Sequence, residues 1–380
     1  MWLNTESGGV RKNVSSGEGH IAMRMIASFE IPYRQFLGPE GRVTEAMPAF
    51  ARDPAALLPL YRAMVLTRTF DAKAISLQRT GRLGTYPPCL GQEAIGVGLA
   101  SAMEPDDVLL PSYREQAAQL WRGVSPVEIL LYWGGDERGS DFAGPRRDFP
   151  ICVPVSSQAP HAVGVALAMK LRSERRVAVC CLGDGGTSKG DFYEAINLAG
   201  AMQLPAVFVV ANNQWAISVP RSAQTGAVSL AQKAVGAGIP GEQVDGNDVI
   251  AVADAARRAI ETARSGGGST LIEAITYRLA DHTTVDDARR YRDDSEVSRH
   301  WELEPIARLR RYLTDKGAWS KADEERLLID SAAEVNAAAE AYLAIQPQLP
   351  ATMFDHLYAQ LPAEYAAQRQ EAAAEVDEHA

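Results

Sequence analysis

Two polar loops in this sequence combine residue types that bind phosphate groups and hard metal ions. Gly183-Asp184-Gly185-Gly186 follows one apolar run, and Asn212-Asn213 follows the next. Glycines leave backbone N–H groups open to a phosphate, since no Cβ stands in the way. Carboxylate and amide oxygens are ligands that a hard cation such as Mg²⁺ prefers. The two loops therefore predict a site for a metal ion and a phosphate-bearing group.

The segments around these loops predict a parallel β-α-β unit. Residues 177–182 and 206–210 are apolar runs of strand length, and residues 191–202 have the apolar spacing of a helix. This order places both loops at the carboxyl ends of neighbouring parallel strands, where open α/β sheets bind ligands. Asp191 is predicted to cap the helix, with Glu194 as its capping-box partner. We expect an α/β fold, with a doubly wound, mostly parallel sheet, helices on both faces and C-terminal helices.

The first loop is also compatible with two alternatives to a metal and phosphate site. Taken alone, Gly-Asp-Gly fits a plain strand-to-helix turn equally well, because short motifs often occur by chance. The Asn-Asn pair at the next strand end favours the ligand site. A nicotinamide-dependent oxidoreductase is disfavoured, since GDGGTS lacks the third glycine of the dinucleotide fingerprint and no acidic residue ends the next strand.

Composition narrows the class of protein. The chain has 380 residues, 46% of them hydrophobic, and a formal net charge of −10, which disfavours nucleic acid as a partner. Its four cysteines have no metal-binding spacing and indicate a reducing, cytoplasmic location. No apolar stretch is long enough to span a bilayer, so no membrane contact is expected. These cysteines are Cys89, Cys152, Cys180 and Cys181.

The chain divides into three predicted segments. Residues 1–45 form an N-terminal extension and docking arm, residues 46–317 form the ligand-binding α/β domain, and residues 318–380 form a C-terminal helical segment with an acidic tail. The first 25 or so residues are polar, which predicts a disordered extension or a true start at Met23 or Met25. Residues 29–41 are apolar enough to dock as an arm.

The segment from residue 183 to residue 218 resembles the thiamine-diphosphate motif, which opens with Gly-Asp-Gly and ends with Asn-Asn. More narrowly, residues from about 50 to 314 resemble the α subunit of the decarboxylating component of 2-oxo acid dehydrogenase complexes, of the pyruvate or branched-chain type. The resemblance implies oxidative decarboxylation of a 2-oxo acid, reductive acylation of lipoamide, and a thiamine-diphosphate-binding fold with Mg²⁺. Its other segments are GRLGTYPPCLGQEAIGVG, PSYREQ, SSQAPHAVGVALA and YRLADHTTVDDARRYR.

The same resemblance assigns roles to individual residues. It implies that Asp184, Asn213 and the backbone carbonyl of Trp215 hold Mg²⁺, and that His282 is the catalytic residue. It implies a monovalent cation at Ser157 and Gln158, although Cys152 stands where relatives that bind this ion have serine. The cofactor-binding residues that it implies are Tyr113, Arg114, Val153, Val155, Gly183, Asp184, Gly185, Gly186, Asn213 and His282.

Two of these residues also fit plainer roles. Arg114 follows a predicted strand over residues 107–111, and an arginine there suits bidentate phosphate binding, but an isolated arginine more often forms a surface ion pair. His282 follows the apolar run 270–277 in a charged loop, where a lone histidine is usually solvated. The matched positions favour the functional role for both.

The resemblance also implies partners. No segment resembles the domain that supplies a carboxylate to the aminopyrimidine of the cofactor, so a β subunit is expected in an α2β2 heterotetramer, together with a lipoyl-bearing acyltransferase component.

The small 2-oxo acid is expected to be pyruvate, because GRLGTY and PSYRE resemble pyruvate enzymes. Branched-chain 2-oxo acids and acetoin remain alternatives. A non-catalytic binding subunit is disfavoured by the intact Asp184, Asn213 and His282. The helix predicted over residues 91–103 could pack against another subunit or within its own chain.

Overall fold

The computed structural model describes residues 25–355 and 357–374. Of these, residues 31–355 and 357–374 belong to the larger of two compact units. The predictions of a disordered extension, of a start at Met23 and of an acidic tail end fall on residues 1–24 and 375–380, which lie outside the described residues.

A parallel six-stranded sheet forms the centre of the larger unit. The strands of the described residues are β1 (Tyr33–Arg34), β2 (Val108–Leu110), β3 (Ala178–Gly183), β4 (Ala206–Asn212), β5 (Trp215–Ala216), β6 (Val219–Pro220), β7 (Gly241–Asp245) and β8 (Thr270–Ile275). The order in the six-stranded sheet is β1-β7-β8-β4-β3-β2, and a separate antiparallel hairpin pairs β5 with β6. The predicted β-α-β unit is β3, the helix after it, and β4, which are parallel neighbours.

The helices cover the sheet and extend beyond it to the C-terminal end. In the described part of the chain they are α1 (Leu58–Arg79), α2 (Glu93–Ala100), α3 (Gln116–Arg122), α4 (Pro126–Trp133), α5 (Gln158–Leu171), α6 (Gly190–Ala201), α7 (Arg221–Gln224), α8 (Lys233–Gly236), α9 (Val249–Arg264), α10 (Asp294–Trp301), α11 (Pro305–Asp315), α12 (Lys321–Ala344) and α13 (Ala366–Ala374). None of these helices is both long and apolar enough to cross a membrane.

Helices pack on both faces of the sheet, as expected for a doubly wound fold. Successive strand residues point to opposite faces. Cys180 packs in a cluster with α5 and α6, whereas Cys181 packs in a second cluster with α1, α2 and α9. Both thiols are buried and free. The fold class predicted from the sequence is confirmed.

Helix α2 packs within its own chain. All of its residues are buried, and it lies against α3 and α9. A Cβ on Gly96 would stand 2.7 Å from the Cβ of Ala117, and one on Gly98 would stand 2.9 Å from the Cβ of Val252. The small residues of this helix therefore serve close packing inside the subunit.

The segment predicted to dock as an arm enters the sheet. Strand β1 pairs with β7 at the sheet edge, with Tyr33 opposite Gln243. The N–H groups of the buried residues Phe36 and Leu37 donate to Oδ2 of Asp248 at 2.7 and 2.8 Å.

At the other end of the chain, α12 packs against α1. The division of the chain at residues 45 and 317 stays a prediction.

Candidate active site

A cavity of about 610 Å³ opens at the carboxyl edge of the sheet, where the neighbouring strands β2, β3, β4 and β8 end. The loops that follow these strands meet there, as the α/β architecture requires. Ser157 and Gln158 do not line it. The predicted site residues that do are Tyr113, Arg114, Val153, Val155, Gly183, Asp184, Gly185, Gly186, Asn213, Trp215 and His282.

The glycine-rich loop forms a bare stretch of backbone on the cavity wall. Strand β3 ends at Gly183, and Asp184–Ser188 form a 3-10 turn. A Cβ on Gly185 would lie 2.6 Å from the Cβ of Ala216, so the β5–β6 hairpin leaves no room for a side chain. At Gly183 no atom of the described residues lies within 4 Å of such a Cβ. The open space beside Gly183 suits the close approach of a phosphate to the backbone.

The predicted capping box after this turn is wrong. Helix α6 begins at Gly190, and its N-cap is Lys189, whose extended backbone links the helix to the turn. Asp191 is therefore already helical, and its carboxylate lies 3.1 Å from Nζ of Lys189 instead of capping the helix together with Glu194. A carboxylate in the first turn still stabilises the helix through the macrodipole.

Asp184 is a buried carboxyl at the start of the turn. It is 2% exposed, and Nε2 of Gln224 donates to its Oδ2 at 2.8 Å. Burial raises the pKa of this carboxyl because the charged form loses its solvation, and the hydrogen bond from Gln224 opposes that rise. A cation bound beside it would favour the charged form.

Asn213 faces the same cavity from the end of β4. Its Oδ1 accepts from the N–H of Trp215 at 3.2 Å, and its Nδ2 donates to Oε1 of Gln92 at 3.1 Å. The Nε2 of Gln92 is buried and has no hydrogen-bond partner among the residues that the structure describes. Within residues 25–355 and 357–374, no cluster of three or more His, Cys, Asp or Glu could hold a metal ion. A metal at this place would need amide and carbonyl oxygens beside the carboxylate of Asp184.

Arg114 joins the loop after β2 to the loop that carries His282. Its Nη1 donates to the carbonyl of Pro88 at 2.8 Å, and its Nη2 donates to the carbonyl of His282 at 2.6 Å. Nη2 also lies 2.8 Å from Nδ1 of His282. A guanidinium only donates, so Nδ1 is the acceptor and the ring hydrogen resides on Nε2. The edge of the Tyr113 ring faces His282, with ring centroids 6.1 Å apart.

The surroundings of His282 keep its ring neutral. Burial, followed by the nearby positive charges of Arg114 and Arg278, lowers the pKa of His282 from 6.5 to about 3. Between these two pKa values the unfolded chain binds a proton that the folded chain does not. This group therefore lowers the stability of the fold as the pH falls through that window.

We expect no protonation of His282 between about pH 5 and pH 8 in the cofactor-free chain. The ring should stay neutral with its hydrogen on Nε2, because Arg114 occupies Nδ1. NMR of ¹⁵N-histidine-labelled protein, with the His282→Ala variant used to assign the signal, measures both properties. A His282 signal that titrates near its ordinary pKa would contradict the geometry.

Hydrogen bonds from distant segments hold the His282 loop. The N–H of Tyr86 donates to Oγ1 of Thr284 at 3.0 Å, and the N–H of Thr284 donates back to the carbonyl of Tyr86 at 2.9 Å. The Tyr86 hydroxyl donates to Asp71 at 2.5 Å, and the N–H of His282 donates to Asp286 at 2.9 Å. These bonds fix the position of the imidazole.

An apolar rim borders the cavity. Val153 and Val155 are 48% and 43% exposed, and Ile217 and Val219 are also exposed. Val153, Val155 and Ile217 line the cavity itself. Exposed valines and isoleucines at the mouth of a cavity are typical of a surface that a ligand or a partner covers.

Ser157 and Gln158 lie at the start of α5, behind the cavity. The Nε2 of Gln158 donates to the carbonyl of Cys152 at 2.6 Å. Its Oε1 is buried and has no partner within the described parts of the chain. An unpaired buried oxygen is compatible with a cation ligand, so the monovalent cation site stays a prediction.

Four residues that the sequence did not single out contribute to the site. Gln92 and Gln224 contact Asn213 and Asp184, and the hydroxyl of Ser156 donates to the carbonyl of Gly186 at 3.0 Å. Glu115 lines the cavity, where burial raises the pKa of its carboxyl to about 7. Gln92 and Glu115 belong to the GQEA and SYRE segments, which carry the family resemblance, so the sequence could have indicated them. No sequence pattern indicated Gln224.

Comparisons with known proteins point to one family. The dehydrogenase E1 component family matches residues 61–348. A protein of Mycobacterium tuberculosis named 3-methyl-2-oxobutanoate dehydrogenase subunit alpha is 46% identical over 305 residues, which cover 80% of this chain and 83% of the relative. Proteins named pyruvate dehydrogenase E1 component subunit alpha are 42% identical over 309 residues in Acholeplasma laidlawii (80% of this chain, 89% of the relative) and 40% identical over 313 residues in Staphylococcus aureus (82% and 85%).

A match over most of the chain, together with relatives of this similarity, defines the family. The chain belongs to the dehydrogenase E1 component family, and the relatives named above are α subunits of 2-oxo acid dehydrogenases. The resemblance inferred from the sequence is thereby confirmed, and the chain is an enzyme subunit of the oxidoreductase class.

Proposed function

We propose that this chain is the α subunit of a thiamine-diphosphate-dependent enzyme that oxidatively decarboxylates a 2-oxo acid and reductively acylates lipoamide. The observation that carries the proposal is the convergence of Asp184, Asn213, Arg114 and His282 on one cavity at the carboxyl edge of the sheet. In a chain of this family, that set offers ligands for a metal, a diphosphate and a substrate carboxylate.

The residues present fit both Mg²⁺ and a diphosphate. Asp184, the side-chain oxygen of Asn213 and the carbonyl of Trp215 supply the oxygen ligands that Mg²⁺ prefers. Gly183 borders open space beside the backbone, and on the same cavity wall the buried Nε2 of Gln92 has no partner in the described residues. The groups proposed to bind the diphosphate are the backbone of Gly183, Gly185 and Gly186 and the side chains of Tyr113 and Arg114.

The remaining site residues would act on the organic part of the cofactor and on the substrate. Val153 and Val155 present apolar surface for the thiazolium side. Thiamine diphosphate, when bound, supplies the electron sink for decarboxylation. Because Arg114 occupies Nδ1 of His282, the Nε2–H of the ring is free to donate to a substrate carboxylate. We propose that this donor steadies the substrate and assists acyl transfer to the lipoyl group.

A second chain should complete the site. No segment of this sequence resembles the domain that supplies a carboxylate to the aminopyrimidine of the cofactor. In addition, the exposed apolar rim at Val153, Val155 and Ile217 offers a surface for a partner. We propose a β subunit in an α2β2 heterotetramer, which then engages a lipoyl-bearing acyltransferase component.

We expect the isolated chain to bind thiamine diphosphate weakly and to lack decarboxylase activity, and the complex with its β subunit to have both properties. Light scattering, calorimetry and a decarboxylation assay of the two preparations measure this difference. An isolated chain that decarboxylates 2-oxo acids at the rate of the complex would overturn the shared site.

The same assay identifies the substrate. Pyruvate is our first candidate, on the resemblance of GRLGTY and PSYRE to pyruvate enzymes. A branched-chain 2-oxo acid is the second, because the relative with 46% identity is named for 3-methyl-2-oxobutanoate. The ratio of kcat/KM for pyruvate and 3-methyl-2-oxobutanoate decides between them, and inactivity with both would contradict the proposed function.

A further inference from the structure

A buried lysine stands behind the glycine-rich turn, outside the cavity. Lys233, the first residue of α8, is 8% exposed. Its Nζ donates to the carbonyl of Thr187 at 2.6 Å and lies 2.9 Å from the Thr187 hydroxyl. The ring of Tyr193 packs against the ammonium, with its centroid 5.1 Å away. Among the described residues, no carboxylate forms an ion pair with Lys233 within 4.0 Å.

The contact with Thr187 continues to the first residue of the turn. Thr187 is fully buried, and its hydroxyl donates to the carbonyl of Asp184 at 2.7 Å. The hydroxyl proton is thus directed to Asp184, and a lone pair of the same oxygen accepts from Lys233. Such donor–acceptor chains strengthen one another in a buried environment. The result is a continuous path from the ammonium to the backbone of Asp184.

Burying this lysine costs free energy, and packing alone does not explain why the side chain is buried. A buried ammonium without a carboxylate partner loses solvation that neutral acceptors and an aromatic ring recover only in part. Burial accordingly lowers the pKa of Lys233. Lys170 makes a similar contact, with the carbonyl of Met202 at 2.6 Å, but it does so on the surface, where the charge stays solvated.

We propose that Lys233 is a positioning residue for the metal-binding turn. It holds the Asp184–Ser188 turn from behind, through Thr187, while the hydroxyl of Ser156 holds the carbonyl of Gly186 from the other side. Asp184 is thereby presented to the metal before the metal binds. The inference rests on the proposed function, because it assigns the purpose of the turn to the binding of Mg²⁺ and thiamine diphosphate.

Removing the ammonium should weaken cofactor binding more than turnover. Loss of a residue that orients a metal ligand typically lowers metal affinity by about 10–100-fold. We expect Lys233→Met to weaken Mg²⁺ and thiamine diphosphate binding within that range, with kcat at saturating cofactor close to that of the wild type. Lys233→Arg, which restores a buried cation, should recover most of the affinity. Lys170→Met is the matched control and should bind like the wild type.

The test is calorimetry on the complex with the β subunit. Thiamine diphosphate is titrated at fixed Mg²⁺, and Mg²⁺ at saturating thiamine diphosphate, for the wild type and the three lysine variants. Unchanged affinities in Lys233→Met would overturn the inference, and so would an Arg variant as weak as the Met variant. If the wild type itself shows no Mg²⁺-dependent binding, the proposed function fails instead.

A second pair of variants covers the case in which Lys233→Met does not fold. Thr187→Val removes the hydroxyl that joins Lys233 to Asp184, and Thr187→Ser keeps it. We expect the Val variant to bind cofactor about tenfold or more weakly and the Ser variant to bind like the wild type. Equal affinities in the two variants would overturn the path through Thr187.

Discussion

Replacing Asp184 with alanine is expected to abolish Mg²⁺-dependent binding of thiamine diphosphate while leaving the fold intact. The carboxyl is 2% exposed and starts the turn that faces the cavity. Removing one partner of a buried charge contact costs about 2–5 kcal/mol, which is roughly a thirtyfold to several-thousandfold loss of affinity. Asp184→Asn should lose nearly as much, because the amide keeps the shape of the side chain without its charge.

The stability of the cofactor-free protein should not fall together with the cofactor affinity of the Asp184 variant. Since burial penalises the charged carboxyl of Asp184, its removal should leave the melting temperature unchanged or raise it. Calorimetric titration with thiamine diphosphate at fixed Mg²⁺ measures affinity, and thermal unfolding without cofactor measures stability. Asp254→Ala, which removes a partly buried carboxylate paired with Arg258, is the control. An unchanged affinity in Asp184→Ala would show that the metal is held elsewhere.

Replacing His282 with alanine is expected to lower turnover far more than cofactor affinity. The imidazole is neutral and held by Arg114, so its Nε2–H is a preorganised donor on the substrate side of the cavity. Loss of one preorganised donor that stabilises charge typically lowers kcat by about 10²–10³-fold. Cofactor affinity should change little, because Arg114 keeps its bond to the carbonyl of residue 282 in the variant.

Reductive acylation of a lipoyl domain by the complex with the β subunit is the appropriate measurement, together with calorimetry of thiamine diphosphate. His161→Ala, on the exposed side of α5, is the control for the loss of a histidine. Wild-type rates of acylation in His282→Ala would refute the role. A loss of cofactor affinity as large as the loss of kcat would instead assign His282 to cofactor binding.

The elements that carry the site were predictable because each has a strong local signal. The apolar runs of β3 and β4 have strand length, and the polar loops that follow them fall at the carboxyl edge by the geometry of parallel strands. The helix start at Gly190 was not predictable in the same way, because Asp191 and Glu194 satisfy the capping pattern. The 3-10 turn over Asp184–Ser188, which leaves Lys189 as the cap, has no comparable signature.

The contacts that orient the site residues lay beyond sequence reasoning. Gln224 reaches Asp184 and Gln92 reaches Asn213 from segments 40 and 121 residues away along the chain. Lys233 holds Thr187 across 46 residues. An isolated glutamine or lysine has no pattern that distinguishes such a contact from solvent exposure, so only the folded chain reveals it.

The pairing of strand β1 constrains the order in which this protein folds while it is being synthesised. Its partner β7 lies 210 residues further along the chain, as the bond between Gln35 and Asp245 shows. At about 5–20 residues per second, the ribosome needs roughly 10–40 s after completing β1 to produce that partner. During this time β1 and the apolar residues Phe36 and Leu37 have no sheet edge to join. The N-terminal strand of the nascent chain therefore joins the fold late, after β2, β3 and β4, three of the strands that end at the site, have already been made.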